Sequence, residues 1–263
     1  MIPDNQNIAV VGIGAGGSSL ADMLARYGFK KLTLIDPDGL SRENVKRHIL
    51  TRTSVGNFKV VGMENHLLMA SEKGTIIIQI QPFDPKMFSE PPDIIACCAD
   101  SDACCQLVNQ YCVENGIPCV FGGVHGAAET AEIITYVPGL PCYACYEREG
   151  PEPEPSQEKY TDPDYDGTKM PHQEALWCDV LMAASIQFRA ILAVLGSTFQ
   201  LHEIVWNGCT KGQQRADERA KQTRLQAISP LILASLRSPY GAEIIRQKAG
   251  CAACGNDFSR LEK

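Results

Sequence analysis

The chain lacks an excess of positive charge. Its 263 residues carry 24 Lys and Arg against 31 Asp and Glu, a net charge of −7 and a pI near 5.3. A broad basic face is therefore not expected, which argues against nucleic acid as a partner. It also lacks a long uninterrupted apolar run. The longest, from Val180 to Gly196, is broken by Gln187 and Arg189, so it reads as a buried helix and no membrane partner is expected. The first residues, MIPDNQNIAVVG, have neither the charged region nor the cleavage site of a secretory signal. Twelve cysteines in 263 residues are too few for a small disulfide scaffold. The expectation is a cytoplasmic chain with reduced thiols, metal ligands or a catalytic thiol. No internal repeat is visible. With 44% hydrophobic and 21% charged residues, the composition excludes collagen, coiled coil and wholesale disorder.

What is present is an alternation of strand-like and helix-like segments. IAVV at 8–11 is a short buried strand, followed by the Gly-rich GIGAGGSSL, which opens into a helix stopped at Gly28. KLTLIDPD is a second strand, ending at Asp36. This order implies a parallel sheet with helices on its faces, a doubly wound Rossmann-like α/β fold. Asn44 to Ala70 reads as mostly helical with a break at Gly56. TIIIQIQPF and PPDIIACCADS read as strands, 102–115 as a helix stopped by Gly116, IPCVFGGV as a strand, and AEIITYVPG as an edge or antiparallel strand.

Composition then shifts. Residues 147–174 hold nine acids, three bases and five prolines, a segment unsuited to burial that is expected to be a mobile loop. A helix is expected over about 175–196, and 211–262 looks helical. The organisation is thus an α/β domain over 1–146, an acidic crossover over 147–174, and a helical part over 175–263 that completes the domain.

Three constellations carry chemistry. Gly12, Gly14 and Gly17 form G-x-G-x-x-G between a strand and a helix, where backbone can approach phosphate and the helix N-terminus favours an anion. Asp36, 19 residues past Gly17 at the end of the second strand, can accept hydrogen bonds from ribose hydroxyls. This pattern alone does not separate NAD from ATP. The second constellation is Cys142-x-x-Cys145 with Cys251-x-x-Cys254. Four thiolates make a closed tetrahedral zinc site of structural type, tethering the C-terminal segment; for either pair alone, a redox dithiol is the other reading. Cys97, Cys98 and Cys119 lie in apolar strands and read as core packing.

The third constellation is the run of Asp36 and Asp38, Asn44 and Arg47 in ENVKRH, Lys59 in GNFK, Asp100 in CADS, and PCYAC at 141–145. In order and spacing these residues resemble the ThiF/MoeB/ubiquitin-activating superfamily of adenylyltransferases. The resemblance covers about residues 8–146 plus the last CxxC. It departs at Lys46, where the family usually has a second Asn, at His48, where it has Gln, and at Ser101, where it has Asn. It implies ATP with Mg²⁺: Arg47 and Lys59 gripping the triphosphate, Asn44 positioning it, Asp100 as a magnesium ligand. It also implies a small ubiquitin-like (β-grasp) partner whose C-terminal glycine carboxylate attacks the α-phosphate, giving an acyl-adenylate and pyrophosphate, and it implies a homodimer.

For activators that go on to a thioester, Cys178, near the start of an apolar helix after the acidic loop, is the candidate acceptor, with transfer to a conjugating enzyme to follow. Burial of a plain helix cysteine is the competing reading, and Cys209 in WNGCTKG is the alternative thiol. A sulfur-carrier or peptide adenylyltransferase without a thioester step is the rival within the enzyme class. An NAD-dependent oxidoreductase leaves Arg47, Lys59, Asp100 and the CxxC pairs unused. A silent scaffold holding a ubiquitin-like tail is the third reading, which a measured release of pyrophosphate would exclude.

Overall fold

The structure is a computed structural model. It describes residues 5–70, 74–125, 130–140, 142–147 and 176–196, with three short strand pieces beyond them. The strands are β1 (Asn7–Val11), β2 (Lys31–Ile35), β3 (Thr75–Gln79), β4 (Ile94–Cys97), β5 (Cys119–His125) and β6 (Thr130–Tyr136). Two-residue strands follow: β7 (His202–Glu203), β8 (Trp206–Asn207) and β9 (Gln226–Ala227). The helices are α1 (Ala15–Tyr27), α2 (Lys59–Ala70), α3 (Asp102–Asn115), α4 (Tyr143–Glu147) and α5 (Trp177–Leu195).

The main sheet has the order β3-β2-β1-β4-β5-β6-β8. The first five strands are parallel; β6 pairs antiparallel with β5, and β8 with β6. The central strands are near-continuous apolar runs because both faces are covered. Along β1, Ile8 and Val10 point to one layer with α1, α2 and α5, where Leu20, Leu24, Met63, Leu67 and Ile191 pack. Ala9 and Val11 point to the other, with Val108 and Tyr111 of α3 and with Cys142 and Cys145. This period of two is the strand's own geometry. After β3 the chain crosses to the far side of β1 to form β4. Strand order therefore reverses between β1 and β4, the place where open α/β sheets bind ligands.

The expected doubly wound sheet is present, with the antiparallel strand at β6. Three expectations fail. The stretch 44–70 is not one helix: it holds two single-turn 3₁₀ segments, Asn44–Lys46 and Arg52–Ser54, and only then α2. The intervening chain is drawn onto the β2 exit instead: Gly39 bridges Phe58, and Asp38 O accepts the Lys59 N–H at 2.9 Å. Gly56 makes the turn at φ 90°. The strand starting at Thr75 ends at Gln79, short of Phe83.

In the tail expected to be helical, Gln226–Ala227 instead pairs antiparallel with His202–Glu203. The acidic crossover 147–174, apart from Glu147, Cys209 and the Cys251/Cys254 pair lie outside the described residues.

α5 is long and apolar enough by composition to cross a membrane. It packs instead on the sheet and α1, with Val180, Ala183, Ala184, Ala190 and Ile191 buried. Gln187, the residue that interrupts its apolar run, is 2% exposed. Its amide donates to Cys97 O at 3.3 Å and Val120 O at 2.9 Å and accepts from Cys98 Sγ at 3.3 Å. Cys97 ends β4 and Val120 is the second residue of β5, so the buried amide joins the exit of one strand to the start of the next with its own polar atoms paired.

Candidate active site

The glycine loop leaves β1 and enters α1 at the switch point. Gly12 has φ 85°, and a Cβ there would press on the backbone of Cys98 and Ala99, at 2.8 Å. A Cβ on Gly17 would run into the Gly12 carbonyl. These two glycines let the turn close and the β1 and β4 exits touch. Gly14 and Gly16 differ: added Cβ atoms there would meet nothing within 4 Å. The loop thus faces open space with the first turn of a 13-residue helix behind it. That combination suits a phosphate.

Asp36 lies beneath the loop, 4% exposed. Its Oδ2 accepts the Ile13 N–H at 2.6 Å and its Oδ1 the Asp38 N–H at 2.8 Å. Both carboxylate oxygens are therefore already engaged, and the first task of Asp36 is to fasten the loop to the end of β2. Burial pushes its pKa up, opposed by Lys59 and the two N–H donors. Lys59 begins α2 and reaches back: its Nζ is 2.7 Å from Asp38 Oδ2 and 3.7 Å from Asp36 Oδ1. Burial works against the ammonium, but Asp36, Asp38 and Asp100 outweigh it and hold its pKa above the ordinary lysine value.

Asn44 organises the next turn. Its Oδ1 accepts from Ser41 N at 3.3 Å, and its carbonyl accepts the N–H groups of Arg47 and His48, both at 3.0 Å. Arg47, half-buried, and buried His48 leave this turn side by side. His48 Nε2 lies 2.9 Å from Ile13 O, and Nδ1 accepts the Leu50 N–H at 3.1 Å. Burial, followed by the cations Lys59 and Arg47, lowers its pKa to about 4 despite the Ile13 carbonyl. The ring is neutral, with its proton on Nε2. Exposed Asp100 follows β4, next to the backbone that touches Gly12, and contributes to the field at Lys59.

The structure thus brings Gly12, Gly14, Gly17, Asp36, Asp38, Asn44, Arg47, Lys59 and Asp100 to one end of the sheet. A nucleotide polyphosphate fits this donor set. The open cradle at Gly14 and Gly16 could receive it, with Arg47 and Lys59 as sources of positive charge and Asp100 as a hard oxygen that could take a divalent cation.

Cys178 is the second residue of α5 and is exposed; its thiol lies 3.8 Å from Asp179 Oδ1. α5 runs alongside α1 in the same direction: Ser185 Oγ meets Met23 Sδ at 3.8 Å and Phe188 meets the Tyr27 ring at 5.6 Å. Cys178 therefore points toward the end of the layer where α1 begins, about 10 Å before Ser185 at 1.5 Å per residue.

Cys142 and Cys145 are buried, their sulfurs 3.9 Å apart. Two thiolates on one tetrahedral metal at 2.3 Å stand about 3.8 Å apart, so the pair fits half of a zinc site. Among the described residues no group of three or more His, Cys, Asp or Glu could hold a metal. Asn109 of α3 fixes this turn. It donates to Cys142 Sγ at 3.6 Å and accepts the Tyr143 N–H at 3.0 Å.

His48, Gln187 and Asn109 are the residues that sequence reasoning passed over. His48 stood out only as a departure from a motif, and Gln187 only as a polar break in an apolar run. Asn109 carried no signal.

The ThiF family profile matches residues 4–229. Among curated proteins, the chain is 26% identical over 156 residues to "Adenylyltransferase and sulfurtransferase UBA4" of Candida albicans, covering 57% of this chain and 35% of that one. It is 30% identical over 154 residues to "Ubiquitin-like modifier-activating enzyme 5" of Drosophila ananassae, covering 52% and 39%. The chain spans little more than a third of the length of these relatives. In fold it resembles E. coli MccB solved with ATP, with a TM-score of 0.66, 19% identity, and 96% of this chain and 68% of that chain covered.

Proposed function

The chain belongs to the ThiF family, and from that membership and the site geometry we propose that it adenylates the C-terminal carboxylate of a small ubiquitin-like protein. The observation that carries the reading is the open glycine cradle at the switch point, faced by Lys59 among Asp36, Asp38 and Asp100. An oxidoreductase would give Arg47 and Asp100 no part in its chemistry.

In this reading the glycine loop and α1 receive the polyphosphate, and Arg47 and Lys59 neutralise charge that grows on the α-phosphate as the carboxylate oxygen attacks. A new P–O bond forms to the acyl group while the bond to pyrophosphate breaks. Catalysis is positioning plus charge stabilisation, and no protein group need bond to the substrate. Asp100 would hold Mg²⁺, which would supply positive charge to the phosphate oxygens. A structural Zn²⁺ on Cys142, Cys145, Cys251 and Cys254 would tie the C-terminal segment to α3.

The next step in the proposal is attack by the Cys178 thiolate on the acyl-adenylate, releasing AMP and leaving a thioester for a conjugating enzyme. The exposure of Cys178 and the direction of α5 support it. A homodimer is part of the same proposal.

The Candida relative, an adenylyltransferase and sulfurtransferase, favours a second reading in which a sulfur-carrier protein is adenylated and no thioester forms.

The test is pyrophosphate exchange into ATP in the presence of a ubiquitin-like protein ending in glycine. The wild type should exchange, and Asp100→Ala should lose exchange by more than a hundredfold with an unchanged melting temperature, since Asp100 is exposed and packs no core. Exchange by the variant within tenfold of wild type would refute the assignment.

A further inference from the structure

We propose that His48 is a positioning residue for phosphate. Held as a neutral imidazole, it donates from Nε2 to the Ile13 carbonyl and accepts the Leu50 N–H at Nδ1. It thereby fixes which way the Ile13–Gly14 peptide faces. The proposal rests on the nucleotide reading of the glycine loop and adds a residue that the reading does not require.

A trans peptide unit is planar, with its C=O and N–H pointing in opposite directions. The Ile13 carbonyl is drawn inward, to the buried ring at 2.9 Å. The N–H of the same unit, that of Gly14, therefore points away from His48. Gly14 borders open space: a Cβ on it would meet nothing within 4 Å. The clamp thus presents an N–H donor, not a carbonyl oxygen, on the side where an anion would approach.

Without a clamp, that unit has little to keep it so oriented. Flipping it changes ψ of Ile13 and φ of Gly14, and glycine accepts either sign of φ. A flipped unit would turn a carbonyl oxygen toward the phosphate. On the other side of Ile13, Asp36 Oδ2 already holds the residue's N–H at 2.6 Å. Asp36 fixes the preceding peptide and His48 the following one, so Ile13, itself fully buried, is held at both ends.

The tautomer is dictated by the partners. Leu50 N–H is a donor, so Nδ1 must accept; Ile13 O is an acceptor, so Nε2 must carry the proton. A glutamine side chain offers the same pairing, one N–H donor and one oxygen acceptor. Leucine offers neither, and asparagine is too short to span both partners.

The experiment is Mg·ATP binding by titration calorimetry on the full chain, for wild type, His48→Gln and His48→Leu, with amide hydrogen exchange of each protein without nucleotide. We expect His48→Gln to bind within threefold of wild type. We expect His48→Leu to bind about tenfold more weakly, the scale of one lost hydrogen bond, and to exchange the Ile13 and Leu50 amides, whose N–H groups are bonded in the wild type, faster. If His48→Leu does not fold, His48→Asn takes its place with the same expectations. Wild-type affinity with unchanged exchange in the leucine or asparagine variant overturns the clamp. Equal weakening by glutamine and leucine also overturns it, because bulk and not hydrogen bonding would then be at work. A wild type that binds no Mg·ATP, with loop exchange slow in wild type and fast in His48→Leu, would keep the clamp as a fold element and refute the nucleotide reading.

Discussion

Replacing Lys59 with methionine removes the ammonium that lies between Asp36 and Asp38 while keeping the length of the side chain. Lys59 is only 12% exposed, and its partners Asp36 and Asp38 are 4% and 27% exposed. Stripping the cation from a fully buried pair costs about 3–5 kcal/mol, because the remaining charge is left uncompensated. Here the cost should be smaller. Asp36 keeps the N–H groups of Ile13 and Asp38, and Asp38 can turn toward water. About 2 kcal/mol is the expectation, a loss readable in urea denaturation as a lower midpoint at unchanged slope. The signature is in its pH dependence. Burial already raises the pKa of Asp36, and the loss of Lys59 raises it further, so the variant approaches wild-type stability as pH falls and Asp36 takes up a proton. Mg·ATP affinity should fall at the same time. By contrast, Arg47→Met should weaken nucleotide binding with little change in midpoint. A Lys59→Met midpoint equal to wild type at pH 8 would refute the electrostatic account of how β2, the glycine loop and α2 are joined.

For Cys178, incubation with ATP and the protein partner should give a covalent adduct that thiol reagents cleave; Cys178→Ala should lose it and keep pyrophosphate exchange, as intact-mass measurement under non-reducing conditions will show. Zinc should be found at about one per chain in reducing, chelator-free preparations, and Cys142→Ser should lower both zinc content and melting temperature, because metal binding contributes directly to folding. His48, with a pKa near 4 in the fold against 6.5 unperturbed, binds its proton more readily when the chain unfolds. Its contribution, at most about 3 kcal/mol, is therefore complete above pH 6.5 and lost as pH falls toward 4. The stability difference between wild type and His48→Gln should shift in the glutamine variant's favour across that window, and a difference independent of pH would contradict the buried neutral ring.

The glycine loop was legible because its requirements are local: a turn between strand and helix, with Gly12 and Gly17 pressed against neighbouring backbone. Asp36 was legible as a carboxylate at a strand end, although its two backbone partners were not, since Ile13 is remote in sequence and its N–H carries no mark of where it will bond. Arg47, Lys59 and Asp100 were legible only through their resemblance to a family, because a cation's partners are set by the fold. The failure at 44–58 has a similar cause. Helix-permissive residues there are claimed by the Gly39–Phe58 bridge and the Asp38 carbonyl, and tertiary contacts override local preference. Gln187 looked like a flaw in an apolar helix; only its bonds to the carbonyls of Cys97 in β4 and Val120 in β5 explain it.

Gln187 also sets an order of events during synthesis. Its amide bonds join residues 90 and 67 positions apart, so the Cys97 and Val120 carbonyls wait for α5. At about 5–20 residues per second, a ribosome takes roughly 5 to 20 s to travel from Cys97 to Gln187. For that interval β1 to β4 can pair and the glycine loop can close, while the Cys97 carbonyl has yet to meet the Gln187 amide. Codons that slow translation between these positions should prolong a state in which the nucleotide half is assembled and its covering helix is absent, one that a pulse of protease could detect on stalled chains.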